Sequence, residues 1–264
     1  MDEMSRGERQ AARGERRSGV KQVICLFALP AVLVLPGAIL SESPAVLEVG
    51  KFSSAAEGSS LPDGWKPLTF PKVPKHTVYT LVKDGNAVVV RAVSNASASG
   101  LTKEVRIDPR EYPIARWRWK VENLLKAADV ATKAGDDYPA RLYITFEYDP
   151  DKVGFMKKAK YKAGKLIFGD IPIAAINYIW DAKAPQGLFI DNAYTDFAKM
   201  VVVRSGAQGV GTWMEEERNI YDDYQKAFGG EPPMINGVAI MNDTDNTKES
   251  AVAYFGDIVF KKAK

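Results

Sequence analysis

The fold is decided by Tyr112-Pro113-Ile114-Ala115-Arg116-Trp117-Arg118-Trp119-Lys120-Val121 together with Tyr138-Pro139-Ala140-Arg141-Leu142-Tyr143-Ile144-Thr145-Phe146-Glu147, joined by a loop that ends in Gly135-Asp136-Asp137. Side chains alternate between the two faces of a strand. In the first run Ala115, Trp117, Trp119 and Val121 share one face, and Arg116, Arg118 and Lys120 share the other. In the second, Tyr138, Ala140, Leu142, Ile144 and Phe146 oppose Asp137, Arg141, Tyr143, Thr145 and Glu147. Each run therefore reads as a half-buried strand. As consecutive strands often pair, the expectation is that their polar sides share one surface of cations, a tyrosine and a carboxylate. That surface either grips a polar ligand or is the solvated face that any antiparallel sheet shows.

The pattern repeats along the chain. Val78 to Val82 and Ala87 to Val93 flank Lys83-Asp84-Gly85-Asn86, whose Asp-Gly pair marks a hairpin. Further strands are expected at Val49 to Ser53, Leu101 to Ile107, Ile173 to Trp180, Gly187 to Ile190, Lys199 to Arg204, Ile235 to Met241 and Ala251 to Phe260. Two segments have helical periodicity: Val153 to Phe168, a lysine-rich amphipathic stretch, and Glu215 to Phe228, stopped by Gly229-Gly230. The basic stretch either lies on an anionic membrane surface or packs on its own sheet with its lysines in water. The sum is an all-β, jelly-roll-like antiparallel β-sandwich with about ten strands and two helical insertions.

The first 21 residues are rich in arginine and acidic residues, and an uncharged run from Gln22 to Leu40 follows. This is the charged and apolar succession of an export signal. Pro30 and Pro36 interrupt the run, and Ser43-Pro44-Ala45 offers the small residues a signal peptidase reads. Residues 1–45 are thus read as a signal peptide, with an uncleaved anchor as the alternative, and 46–264 as a single domain in the periplasm or secreted. Arg16-Arg17-Ser18-Gly19 only loosely matches a twin-arginine signal.

Composition narrows the chemistry. The 264 residues hold 36 basic and 33 acidic side chains, one histidine and one cysteine. No basic stripe of the kind nucleic acid demands is present. Cys25 lies in the leader, so the exported part has no disulfide and no thiolate metal site. His76 sits in a Pro- and Lys-rich segment, where an imidazole is most often solvated.

Trp117-Arg118-Trp119-Lys120, Gly135-Asp136-Asp137-Tyr138-Pro139-Ala140-Arg141, Asn192-Ala193-Tyr194-Thr195, Glu217-Arg218-Asn219, Ala227-Phe228-Gly229, Gly237-Val238-Ala239-Ile240 and Phe255-Gly256-Asp257-Ile258 occur in that order. Together they resemble the bacterial family of exported proteins known as domain of unknown function 3047, over Val49 to Phe260. The resemblance implies bacterial origin and export and brings no activity and no catalytic residues. More loosely, the segment from Phe52 to Trp65 and Gly256-Asp257-Ile258 are similar to the ends of galactose-binding-like sandwiches of carbohydrate-binding modules.

Several residue sets have chemistry to offer. Adjacent Asp136 and Asp137 point apart in an extended chain. A glycosidase needs two carboxyls about 5 to 10 Å apart, for which Asp137 or Glu147 with Glu216 or Asp223 are candidates. Asp137 and Arg141 alternatively form a structural ion pair. In the turn Asn242-Asp243-Thr244-Asp245-Asn246-Thr247, alternate oxygen donors Asp243, Asp245 and Thr247 suit calcium, or a turn held by its own hydrogen bonds. Trp65, Trp180, Trp213, Tyr143 and Tyr194 are aromatic residues near loops, either for stacking on sugar rings or for the core. The ligand-binding candidates are Arg118, Asp136, Asp137, Arg141, Tyr143, Asn177, Trp180, Asn192 and Tyr194. The expected function is binding of a saccharide or other polar envelope ligand. A polysaccharide hydrolase or lyase using Asp136, Asp137, Glu147 or Glu216 is the alternative, and a protein-binding scaffold a third. Membrane contact is expected only through an uncleaved leader.

Overall fold

Trp117 and Trp119 are 2% and 0% exposed, so alternation in the tryptophan strand does place both indoles in the interior. The computed structural model describes residues 44–58, 61–147 and 174–263, and Ser43–Lys264 packs as one unit. The leader and the expected helix at Val153 to Phe168 lie outside the described residues. In chain order the strands are β1 (Val46–Gly50), β2 (Lys66–Leu68), β3 (Val78–Asp84), β4 (Ala87–Asn95), β5 (Ala98–Ile107), β6 (Ile114–Val121), β7 (Arg141–Phe146) and β8 (Ala174–Asp181). β9 (Phe189–Asn192), β10 (Thr195–Ser205) and β11 (Met214–Asn219) follow, then helix α1 (Ile220–Phe228), β12 (Ile235–Asp243) and β13 (Ser250–Lys261).

These strands form a two-sheet sandwich. One sheet runs β11-β6-β13-β4-β3, with β1 added on β13, and the other runs β2-β5-β12-β7-β8-β10-β9. The core lies between them: Trp117, Trp119, Phe255 and Ile258 from the first meet Leu142, Ile144, Tyr178, Trp180 and Val238 from the second. The Trp117 ring is 5.2 Å from Tyr178 and the Trp119 ring 6.3 Å from Trp180. Each indole removes on the order of 200 Å² from water, worth about 5 kcal/mol. The Trp119 Nε1–H donates to Glu216 Oε1 at 3.1 Å, whereas the Trp117 Nε1–H has no acceptor among the described residues.

Three expectations need correcting. β6 and β7 are not neighbours: β6 pairs with β11 and β13, and β7 with β12 and β8. Residues 122–140 cross from one sheet to the other, so the polar faces of the two strands look outward on opposite sides of the sandwich. The sandwich is not wholly antiparallel, because β8 and β10 run parallel. Among the described residues there is one α-helix beside short 3-10 turns, and Glu215 to Asn219, expected to be helical, pair as strand β11 with β6.

The helix starts where Asn219 Oδ1 accepts the N–H groups of Tyr221 and Asp222. This satisfies two donors that a helix leaves open. Asp222 and Asp223 in its first turn suit the positive end of the helix dipole. Tyr178 Oη donates to Asp223 Oδ2 at 2.7 Å, which ties α1 to β8. Arg204 of β10 donates to Glu216 of β11 at 2.5 Å and bridges the sheets. At another edge the Tyr79 hydroxyl of β3 donates to Ser99 O and accepts from Asn242 N, binding β3 to the second sheet. Among the described residues no helix is long and apolar enough to cross a membrane.

Candidate ligand-binding site

The outer face of the second sheet carries a dense polar cluster, built first by a tight loop. Thr132 Oγ1 accepts the Gly135 N–H at 3.2 Å, and Asp129 N donates to Gly135 O at 2.8 Å. A Cβ on Gly135 would come within 2.7 Å of the Asp129 Cβ, so only glycine allows this approach. The turn sends the adjacent aspartates to different partners. Asp136 Oδ2 accepts Asn192 Nδ2 at 2.9 Å. Asp137, wholly buried, accepts four donors: Asn246 N and Nδ2 at 3.2 Å on Oδ1, and Thr247 N at 2.6 Å and Oγ1 at 2.8 Å on Oδ2.

Arg141, 2% exposed, is the centre. Its Nε donates to Asp243 Oδ1 at 2.7 Å and its Nη2 to Asp243 Oδ2. Nη2 also reaches Asp136 O at 2.6 Å, and Nη1 reaches Asp136 Oδ1 at 3.4 Å and the Tyr143 hydroxyl at 3.3 Å. The guanidinium lies 4.4 Å from the Tyr138 ring centre. Arg141 thus engages Asp243 and Asp136, and the expected Asp137–Arg141 pair is replaced by the grip of Asp137 on residues 246 and 247. Burial pushes the Asp243 carboxyl up to about 7, with Asp137 and Asp136 adding to the shift and Arg141 opposing it. Burial likewise raises Tyr143, to about 12, and Asp245, where the Asp137 charge adds to it.

Three carboxylate oxygens, from Asp137, Asp243 and Asp245, lie within 4.8 Å of one another. Calcium needs free oxygen lone pairs from such a set. Here both oxygens of Asp137 are each taken twice, Asp243 is held by Arg141 and the Tyr138 N–H, and the Thr247 hydroxyl points its proton at Asp137. The arrangement fits an ionic staple between loops and does not fit a calcium cage.

Around this staple runs an accessible rim. Tyr194 is 47% exposed. Its hydroxyl lies 2.9 Å from Asn246 Oδ1 and 3.2 Å from Lys133 O, and Lys133 Nζ stands 5.3 Å from the ring centre. Asn192, Asp245 and Asn246 are half-buried beside it. Asn192 Oδ1 accepts the Tyr194 N–H at 3.0 Å, which fixes the turn that presents the ring.

The structure therefore gathers Asp136, Asp137, Arg141, Tyr143, Asn192, Tyr194, Asp243, Asp245 and Thr247 from segments far apart in sequence. Asn177, fully buried, sits opposite Tyr143 on the β7–β8 ladder, donates to Met200 Sδ at 3.2 Å and leaves its Oδ1 unpartnered. Others lie elsewhere. Trp180 is in the core and donates to Gly206 O. Arg118 is on the outer face of the other sheet, and Glu147 is a half-buried partner of Arg106. Glu216 lies inside β11 with Arg204 and Trp119, its carboxyl raised by burial. Asp223 serves Tyr178 and Arg218. His76 lines a cleft of about 200 Å³ with Thr77, Tyr79 and Ser99, where edge strands β2 and β3 face each other. Sequence reasoning passed over Asn246 and Lys133. Asn246 lies between the alternate donors Asp245 and Thr247, so a pattern of every second residue skips it.

Among solved structures, the carbohydrate recognition domain of Emp47p aligns at 11% identity over 84% of this chain and 97% of that one, with a TM-score of 0.41. The K1 cleaved adhesin domain of Lys-gingipain from Porphyromonas gingivalis W83 aligns at 11% identity over 84% and 100%, with a TM-score of 0.37. An apo-form cyclase from Fischerella sp. aligns at 8% identity over 83% and 98%, with a TM-score of 0.36. No curated protein sequence matches the chain. A family model described as a protein of unknown function (DUF3047) matches residues 63–259.

Proposed function

The chain belongs to the DUF3047 family, and from that premise we propose that it is an exported binding module for a saccharide or similar polar ligand of the cell envelope. The observation that carries this reading is the exposed Tyr194 ring held on a preorganised polar rim. The Arg141 staple fixes the three loops that supply Lys133, Asn192, Asn246 and Asp245, so little ordering remains to be lost on binding. An amphipathic ring beside amide and carboxylate groups suits a sugar, whose C–H face stacks while its hydroxyls are hydrogen-bonded. Export rests on the uncharged run from Gln22 to Leu40.

Acid–base hydrolysis is left out of the proposal. The lone pairs of Asp137 are spent on Asn246 and Thr247, and Glu216 lies in the other sheet against Arg204. Asp137 and Glu216 are thus held by separate sets of partners rather than facing one bond.

The test is thermal unfolding of the full chain against a panel of neutral oligosaccharides. A ligand at a hundredfold its Kd stabilises the fold by about 2.7 kcal/mol. A shift that vanishes in Tyr194→Ala supports the reading. A shift that survives that substitution, or none with any sugar, counts against it.

A further inference from the structure

The outer face of the six-stranded sheet holds a second array that the reading above does not use. Arg91 of β4 lies opposite Tyr254 of β13, and Tyr254 opposite Lys120 of β6. Trp213 continues this transverse row, with Lys120 Nζ 5.4 Å from its ring centre and the Tyr254 ring 6.4 Å away. One step along β6, the Arg118 guanidinium stacks 4.7 Å from the Trp213 ring centre. Behind it is Gly256, where a Cβ would come within 2.5 Å of Arg118 Cγ, so the glycine lets the arginine lie against the sheet. All five of these side chains are half-buried.

The charges on this face are unequally spent. Lys120 is paired with Asp84, Arg116 with Glu215 and Lys261 with Glu217. Among the described residues Arg118 and Arg91 have neither a hydrogen-bond acceptor nor an ion-pair partner. Two half-buried guanidiniums with unspent donors, one of them locked flat by an indole, are set to take a carboxylate in the two-pronged geometry that arginine favours.

We propose that this face binds an acidic saccharide, with a uronate carboxylate on Arg118 and the sugar ring against Trp213 and Tyr254. The neighbouring charges argue for that ligand class. Glu122, Glu215 and Glu217 interrupt the cations, which disfavours a polyphosphate carrying a charge about every 3.4 Å of strand. A uronic acid places one carboxylate on an otherwise neutral ring and needs only one guanidinium. A membrane surface would call for protruding apolar side chains, and Val78 on β3 is the one such residue exposed on this sheet's strands apart from Val46 of β1.

The test is calorimetric titration of the full chain with an oligogalacturonate, with its methyl-esterified neutral form as control. Binding to the acid form should weaken with salt. It should fall about tenfold in Trp213→Ala and in Arg118→Lys, the equivalent of one lost cation–π or two-pronged contact. Arg118→Lys keeps the charge and the aliphatic stem, so it reports even where Trp213→Ala unfolds. Tyr194→Ala should bind the oligogalacturonate as the unmodified chain does, which separates this proposal from the fate of the Tyr194 rim. The proposal is overturned by no binding, by equal binding of the ester, by unchanged affinity in Arg118→Lys, or by equally tight binding of single-stranded DNA or phosphatidylserine vesicles at this face.

Discussion

Replacing Arg141 by methionine removes the one cation from a buried cluster of carboxylates. The loss comprises the paired bonds to Asp243, the 2.6 Å bond to Asp136 O, the 3.3 Å bond to Tyr143 and the contact with the Tyr138 ring. Methionine fills much of the volume, so packing is a minor part of the cost. The main part is an Asp243 carboxylate, 2% exposed, left without its counter-charge. Breaking a buried pair in this way costs about 3–5 kcal/mol. At about 2–4 °C per kcal/mol for a domain of this size, the melting temperature should fall by about 10 °C. Urea unfolding of Arg141→Met, Asp243→Asn and the double variant gives the coupling directly. The double variant should recover part of the loss, since Asp243 is then neutral and Asp136 is the carboxylate left without Arg141. The deficit of the single variant should also shrink as pH falls through about 7, because Asp243, near 7 even with Arg141 beside it, escapes the penalty by taking up a proton. A cost under about 1 kcal/mol, or no coupling to Asp243, would refute the view that this staple holds the loops.

Other outcomes follow from the same geometry. The Asp243 carboxyl sits near 7 when folded against an ordinary 3.8, so the folded chain holds that proton more tightly than the unfolded one. Its contribution to stability is complete below about pH 4 and is lost as pH rises toward 7; subtracting the Asp243→Asn stability curve from that of the unmodified chain isolates this falling limb. Calcium or EDTA should leave the melting temperature unchanged, because the Asp137 and Asp243 oxygens are already committed; a rise with calcium alone would contradict the staple. Asn219→Ala removes the acceptor that starts α1 and should cost about 1 kcal/mol in urea unfolding, without altering oligosaccharide affinity.

Local patterns in the chain were legible because period-2 alternation is a property of single strands. Trp117, Trp119, Leu142, Ile144 and Phe146 are interior, and Gly85-Asn86 is the β3–β4 turn, as that alternation and the Asp-Gly signal implied. Trp180 was legible by the same rule, since Ile176, Tyr178 and Trp180 share a parity, but its place near a loop outweighed it. Pairing was not legible. β6 is bracketed by β11 and β13, and β7 by β12 and by β8, the next strand in the chain, and nothing in alternation tells which sheet a strand joins after a nineteen-residue crossing. Helical period begins only with Ile220, Tyr224 and Phe228, while the three glutamates before them fit a strand equally well. Convergence at the site is legible only in part: Asp136 with Arg141, Asn192, and Asp243 stand out in three separate segments, but the partner of Arg141 lies 102 positions away.

Hydrogen exchange of the full chain, with and without a neutral saccharide that raises its melting temperature, tests the central claim most directly. The account predicts added protection at the backbone amides of residues 133–137, 192–194 and 245–248, which surround Tyr194, and its disappearance in Tyr194→Ala. Protection confined to other segments, with these three loops unchanged, would contradict it.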